Sequence, residues 1–312
     1  MMIAPYLSFR YAELRNTLAL IFFAFLDALC FPLITIGLGD APHLTFAFLR
    51  AALAGCMLAL LAALLRRPIP KGVGTWLGLA AIGLGTTSFG FVGMFHAAEF
   101  VSPGTATIVA HSQPLIAAVM AYWFLKERLD RRQRIGLLLA FLGIVAISLP
   151  QLIGGEDSNF VIGLAYIVLA TVGVAVGNVL MKALGGRVDP LVAVAAQLLL
   201  GAVPLAVAAA MQEHPSAIVW SPTFLASLLG LAFFGTALAR SLWFTLLKRV
   251  PLSRANAFTF LSPFIGIALG VAFFGESFGL ATLLGLALTA SGIVLVEQQS
   301  KADAQDQQMQ QS

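Results

Sequence analysis

The chain has 312 residues, 60% of them hydrophobic and only 10% charged, with 18 basic and 14 acidic side chains giving a formal charge of +4. A water-soluble domain uses about 25% charged residues to cover its surface, so this composition excludes one and requires a lipid bilayer as solvent. At about 20 apolar residues per crossing there is room for roughly ten crossings and for no large soluble domain. The two cysteines, Cys30 and Cys56, lie in apolar runs and support neither a disulfide framework nor a thiolate metal site; both read as lipid-buried or helix-buried core.

Apolar stretches between charged or Pro/Gly-rich breaks predict crossings over Thr17–Leu38, Leu44–Leu65, Val73–Ala98, Gly104–Leu125, Ile135–Pro150, Val161–Met181, Leu191–Met211, Thr223–Leu247, Leu252–Phe274 and Leu280–Val296. They must be helices, because backbone groups in hydrocarbon have to be satisfied within the segment, and the alternation of a barrel is absent. The first crossing lacks a small-x-small cleavage site and is expected to be retained. The Gln-rich segment 298–312 reads as a disordered cytoplasmic tail, and 1–16 as a cytoplasmic N-terminal segment.

Counting loops from a cytoplasmic N-terminus puts every basic residue except Arg50 and Arg240 on one side. The opposite loops carry Asp40, Glu99, Glu156, Asp157, Glu213 and Glu276 and no Lys or Arg. The positive-inside rule then places both termini in the cytoplasm and supports ten crossings, since losing one would put later basic loops on the wrong side.

An internal repeat divides the chain. The segment Val101–Val145 aligns without gaps on Val250–Val294 at a shift of 149, pairing Pro114 with Pro263, Glu127 with Glu276, Gly136 with Gly285 and Gly143 with Gly292. A shift of 147 pairs Leu44 with Leu191 and Arg50 with Gln197. Each half has an odd number of crossings, so equivalent helices run in opposite directions. The expected fold is an all-α integral membrane protein of ten transmembrane helices, built as two inverted five-helix repeats over 17–150 and 161–297 with an outer linker at 151–160. Such repeats underlie alternating access in secondary transporters.

The residues Phe31-Pro32, Phe48-Leu49-Arg50, Val101-Ser102-Pro103-Gly104, Pro114, Lys126-Glu127-Arg128-Leu129, Gln133, Gly136 and Gly143, then Pro263, Gly275-Glu276, Gly285 and Gly292, carry a family resemblance. Over about Thr17 to Val296 the chain resembles the EamA branch of the drug/metabolite transporter superfamily. The resemblance implies a ten-helix carrier of small metabolites in the bacterial inner membrane, with export favoured over import.

Polar groups at hydrocarbon depth cost about 2.5–3.5 kcal/mol when charged, so each asks for a partner or a wet cavity. Asp27 falls near the midplane of the first helix. Arg50 and His111 lie about 10 Å from the outer face, and Gln197 and Arg240 at similar depth from the inner face. These five residues are the expected substrate or ion pathway, with Asp27 binding an amine or a coupling proton. Two alternatives stay open: Asp27 forms a structural pair with Arg50, giving an uncoupled facilitator of small polar solutes, and each arginine snorkels to its nearest interface. His96, Gln113, Asn178 and Asn256 are pathway or interhelical hydrogen-bonding candidates, and Pro32, Pro114 and Pro263 are hinge candidates. Glu127 and Glu276 read as helix caps or loop-packing residues. No nucleophile, cofactor motif or metal-ligand pattern is present, so no catalytic residue, cofactor or metal is expected, and an enzyme or a scaffold is a remote alternative. The expected partners are a small-molecule substrate, the lipid bilayer and protons as coupling ion, with no nucleic acid; a homodimer is left open.

Overall fold

A computed structural model of the chain describes residues 3–111, 113, 116, 131–153, 158–184, 188–247, 258–259 and 261–309. Every regular element among them is helical. Six apolar helical stretches are long enough to cross a bilayer: Leu14–Gly37, His43–Leu64, Val73–Phe100, Asn159–Asn178, Pro190–Gln212 and Pro222–Trp243. Shorter apolar helices, Arg134–Ile147, Leu261–Phe274 and Leu280–Gly292, fall within three further expected crossings. The expected crossing Gly104–Leu125 is described mainly over its first turns, Pro103–Ala110. Pro114, Glu127 and Asn256 lie outside the described residues.

In chain order the helices are α1 (Ile3–Ala28), α2 (Cys30–Gly37), α3 (His43–Leu64), α4 (Val73–Gly83), α5 (Gly90–Phe100), α6 (Pro103–Ala110), α7 (Arg131–Ile153), α8 (Ser158–Leu184), α9 (Pro190–Gln212), α10 (Pro222–Ala232), α11 (Ala239–Leu247), α12 (Leu261–Phe274) and α13 (Leu280–Met309). Alanine, glutamine and lysine, all good helix formers, carry α13 to Met309 through the segment expected to be disordered. Proline and short caps set the helix starts. Asp189 accepts from Leu191 N at 2.9 Å ahead of Pro190, and Ser221 accepts from Phe224 N at 2.9 Å ahead of Pro222. Pro32 has no N–H to offer the Ala28 carbonyl, and the first crossing breaks there, between α1 and α2.

Equivalent helices of the two halves pack on each other: α3 on α9, α6 on α12, and α7 on α13. They run antiparallel. Glu213, at the end of α9, accepts from the Leu44 and Thr45 N–H groups at the start of α3, at 2.8 and 2.7 Å. In the α7–α13 pair Gly143 lies against Gly285 and Gly136 against Gly292. A Cβ on Gly285 would sit 2.6 Å from the Gly143 carbonyl oxygen, so only glycine permits this approach. The remaining helices exchange across the halves, α8 packing on α4 and α5 while α1 and α2 pack on α10 and α11. This pairing is that of a two-fold relation between the repeats.

The ends of the helices sort by charge. Asp40 meets Ser221, His43 meets Glu99 and Glu213 caps α3 at one end, while Arg67 pairs with Asp189 at 3.6 Å at the other. Large apolar side chains such as Leu60, Phe141, Val207 and Phe273 face outward, which a lipid solvent permits.

Candidate functional site

Two helices lose their α register at one depth. Leu84–Phe89 between α4 and α5, and Phe233–Leu238 between α10 and α11, are π-helical turns. They lie 149 residues apart, the same shift as the repeat, so Thr87 and Thr236 are equivalent. A π-turn adds a residue to one helical turn and re-aims the side chains that follow. Here Thr86, Thr87, Gly235 and Thr236 from the two turns line one cavity of about 20 Å³, together with Arg50, Phe91, Gln197, Leu198 and Arg240. That volume holds about one water molecule.

Arg50 is the most constrained of these residues. It is 3% exposed, so it does not snorkel to an interface. Its Nε donates to Thr236 Oγ1 at 3.0 Å, its Nη2 points at Cys30 Sγ at 3.4 Å, and its guanidinium lies 4.4 Å above the Phe91 ring. Its Nη1 has no partner among the described residues. Gln197 is buried beside it and takes a 3.5 Å contact from the Thr86 hydroxyl.

Asp27 pairs with His111, not with Arg50. The His111 Nε2 stands 3.0 Å from Asp27 Oδ2, and Nδ1 stands 2.8 Å from the Thr107 carbonyl. A carbonyl only accepts, so Nδ1 carries a proton. The contact between Nε2 and Oδ2 needs a second proton, which resides on the ring or on the carboxyl group. The two side chains therefore share one mobile proton. Asp27 is 40% exposed against 17% for His111, which leaves the carboxyl the more open end of the pair. The structural Asp27–Arg50 ion pair held open from the sequence is absent among the described residues, because the break above Pro32 turns Asp27 toward α6 while Arg50 is claimed by the second π-turn and Cys30. Asp27, Arg50 and Arg240 remain within electrostatic range of one another. The Ser262 hydroxyl donates to the Ala24 carbonyl at 3.2 Å.

The structure brings Arg50, Gln197 and Arg240 to one cavity with the Asp27–His111 pair beside it, where depth along each helix suggested separate layers. The other candidates are placed elsewhere. His96 stacks between His43 and Tyr166 at ring distances of 5.0 and 4.9 Å. Asn178 is exposed at the end of its span, and Gln113 is half-buried. Pro263 is buried in the first turn of α12, and Pro32 marks the only break inside an expected crossing that falls among the described candidate hinges. Glu276 is a cap. Gly275, at φ 64°, ends α12, and Glu276 swings across to accept from Gly104 N at 3.1 Å and Ser102 Oγ at 2.8 Å at the start of α6. The sequence alone gives Thr86, Thr87 and Thr236 no role and reads Cys30 as core. Short hydroxyl and thiol side chains read there as ordinary helix packing, and only the 149-residue correspondence of the two threonines marks them. Cys56 is exposed on α3, within a stretch long and apolar enough to cross a bilayer.

The EamA-like transporter family matches the chain twice, over residues 15–149 and 161–297. The uncharacterized transporter YvbV of Bacillus subtilis is 33% identical over 292 residues, covering 92% of this chain and 93% of that protein. The probable amino-acid metabolite efflux pump of Salmonella typhimurium is 28% identical over 277 residues, covering 85% and 89%. Protein PecM of Dickeya dadantii is 31% identical over 252 residues, covering 76% and 82%. A crystal structure at 21% identity shares the fold with a TM-score of 0.65, over 92% of this chain and 98% of that one. With a family match in each half, apolar helices long enough to cross a bilayer and transporter relatives along nearly its whole length, the chain belongs to the EamA-like transporter family and is a multi-pass membrane transporter.

Proposed function

We propose that the chain is a secondary transporter of ten transmembrane helices in two inverted repeats, 17–150 and 161–297, exporting a small amino-acid-like zwitterion or cation by alternating access. The observation that carries this reading is the central cavity, which draws Arg50 from one half and Gln197 and Arg240 from the other, between helices that meet antiparallel in equivalent pairs. At about 20 Å³ the cavity is far below the roughly 300–1,000 Å³ of a metabolite pocket, so a substrate enters only when the halves rearrange. Exchanging the roles of two equivalent halves opens it first to one side and then to the other.

The proton shared by Asp27 and His111 suits coupling, since it sits beside the cavity and within range of Arg240. The basic loops on one side support an orientation with both termini cytoplasmic, and a bacterial inner membrane is part of the same reading. The Salmonella typhimurium relative, described as a probable amino-acid metabolite efflux pump, supports export of that class of solute.

The test is counterflow in proteoliposomes loaded with a pool of amino acids and related metabolites, with and without an imposed pH gradient. Exchange of one compound class above protein-free liposomes is expected. Folded, correctly inserted protein that exchanges none of the pool would refute the reading.

A further inference from the structure

We propose that the chamber between the two π-turns is a carboxylate site, with Arg50 as its anchor and Thr236, Thr87 and Gln197 as the groups that orient the anion. The proposal rests on the transport reading and narrows its substrate class to solutes that carry a carboxylate.

Arg50 is a buried cation with no acid within ion-pair distance among the described residues. A buried charge is tolerated when paired, and breaking such a pair is costly. The side chain is instead held in place by three neutral partners. Thr236 takes Nε, Cys30 takes Nη2, and the Phe91 ring supports the flat face. Those contacts fix the guanidinium plane and leave Nη1 buried and unpartnered, on a side chain that lines the cavity. Arg240 lines the same cavity, so two cations face it and, among the described residues, no Asp or Glu does. Asp27, within electrostatic range of both, is bonded to His111 and is not among the cavity's lining residues, so an anion inside the cavity would come from outside the chain.

The geometry selects the kind of anion. A guanidinium fork matches a planar pair of oxygens. A space of about 20 Å³ admits two carboxylate oxygens with less expansion than a tetrahedral phosphate requires. The walls supply further donors, the Gln197 amide from α9 and the Thr87 and Thr236 hydroxyls. Both threonines sit in π-turns at equivalent positions of the two repeats. A π-turn forgoes regular α bonding, and two of them at matched positions, both opening onto one cavity, mark a feature of the site. Each half would then present the same hydroxyl to the same group, so the carboxylate stays bound to equivalent partners as the halves exchange roles.

The experiment is thermal unfolding of the full-length protein in detergent, titrated with acetate, propionate, L-alanine, L-alaninamide and inorganic phosphate. Saturable rises in the midpoint are expected from the carboxylates, and none from alaninamide or phosphate. Arg50→Gln should weaken carboxylate binding by about tenfold or more. Thr236→Val and Thr87→Val, which keep side-chain volume, should each raise the half-saturating concentration about fivefold and keep the proposal testable if Arg50→Gln does not fold. Equal stabilisation by alaninamide, stabilisation by phosphate alone, or no shift with any carboxylate would overturn it. Counterflow separates the two claims. Exchange of alaninamide but of no carboxylate keeps transport and removes the chamber assignment, whereas carboxylate binding without exchange of any solute keeps the chamber and removes transport.

Discussion

At the scale of single residues, the chain places carboxylates where helix starts leave N–H groups unsatisfied. Glu276 bonds the start of α6 and Glu213 the start of α3, each reaching from a helix in the other half. Glu276 fits because Gly104 and Gly270 flank its carboxyl group; a Cβ on Gly270 would lie 2.6 Å from Oε1. Replacing Glu276 with Gln keeps the shape but drops the charge, and should lower unfolding stability by about 1–2 kcal/mol without changing the half-saturation of exchange. Thermal unfolding and counterflow on one preparation check both halves of that statement. Phe91→Leu removes the ring beneath Arg50 and is expected to cost about 0.5–2 kcal/mol of stability. For Glu276 the sequence leaves capping and loop packing open, and its bonds to Gly104 and Ser102 decide for capping. The partner of Asp27 was not legible in the sequence, because helix depth places His111 and Arg50 alike as seen from Asp27, and only the break above Pro32 decides between them.

Among the elements, the same pairing of equivalent helices that closes the fold also limits what can vary within it. The α7–α13 contact has no room for side chains at Gly143 and Gly285, so Gly285→Leu should abolish folded yield, seen as loss of the monodisperse peak on size exclusion after membrane extraction. The seven-residue glycine spacing in each half announced this contact. The π-turns left no comparable mark. Leu84–Phe89 falls inside the expected crossing Val73–Ala98, and its Gly-Thr-Thr-Ser run does not by itself announce a change of helical register. Deleting Gly85 would restore α register and rotate the chain that follows. The expected result is a folded protein whose exchange is lost, read by circular dichroism beside counterflow.

For the whole molecule, composition sufficed to require a membrane and the doubled pattern to require two halves, because both follow from what lipid permits. The way the halves meet depends on side-chain shapes that no single stretch encodes. Sidedness follows from the loops: in a background with Cys30→Ala and Cys56→Ala, Glu99→Cys should react with an impermeant maleimide in right-side-out vesicles, and Arg66→Cys only after permeabilisation. The central claim is that one solute moves in exchange for the proton held by Asp27 and His111. Its most direct measurement is solute flux into proteoliposomes across an imposed pH gradient, with the wild type beside Asp27→Asn. The wild type should accumulate solute in step with the gradient, while Asp27→Asn retains at most gradient-independent exchange. Unchanged gradient dependence in a folded Asp27→Asn protein would contradict the account.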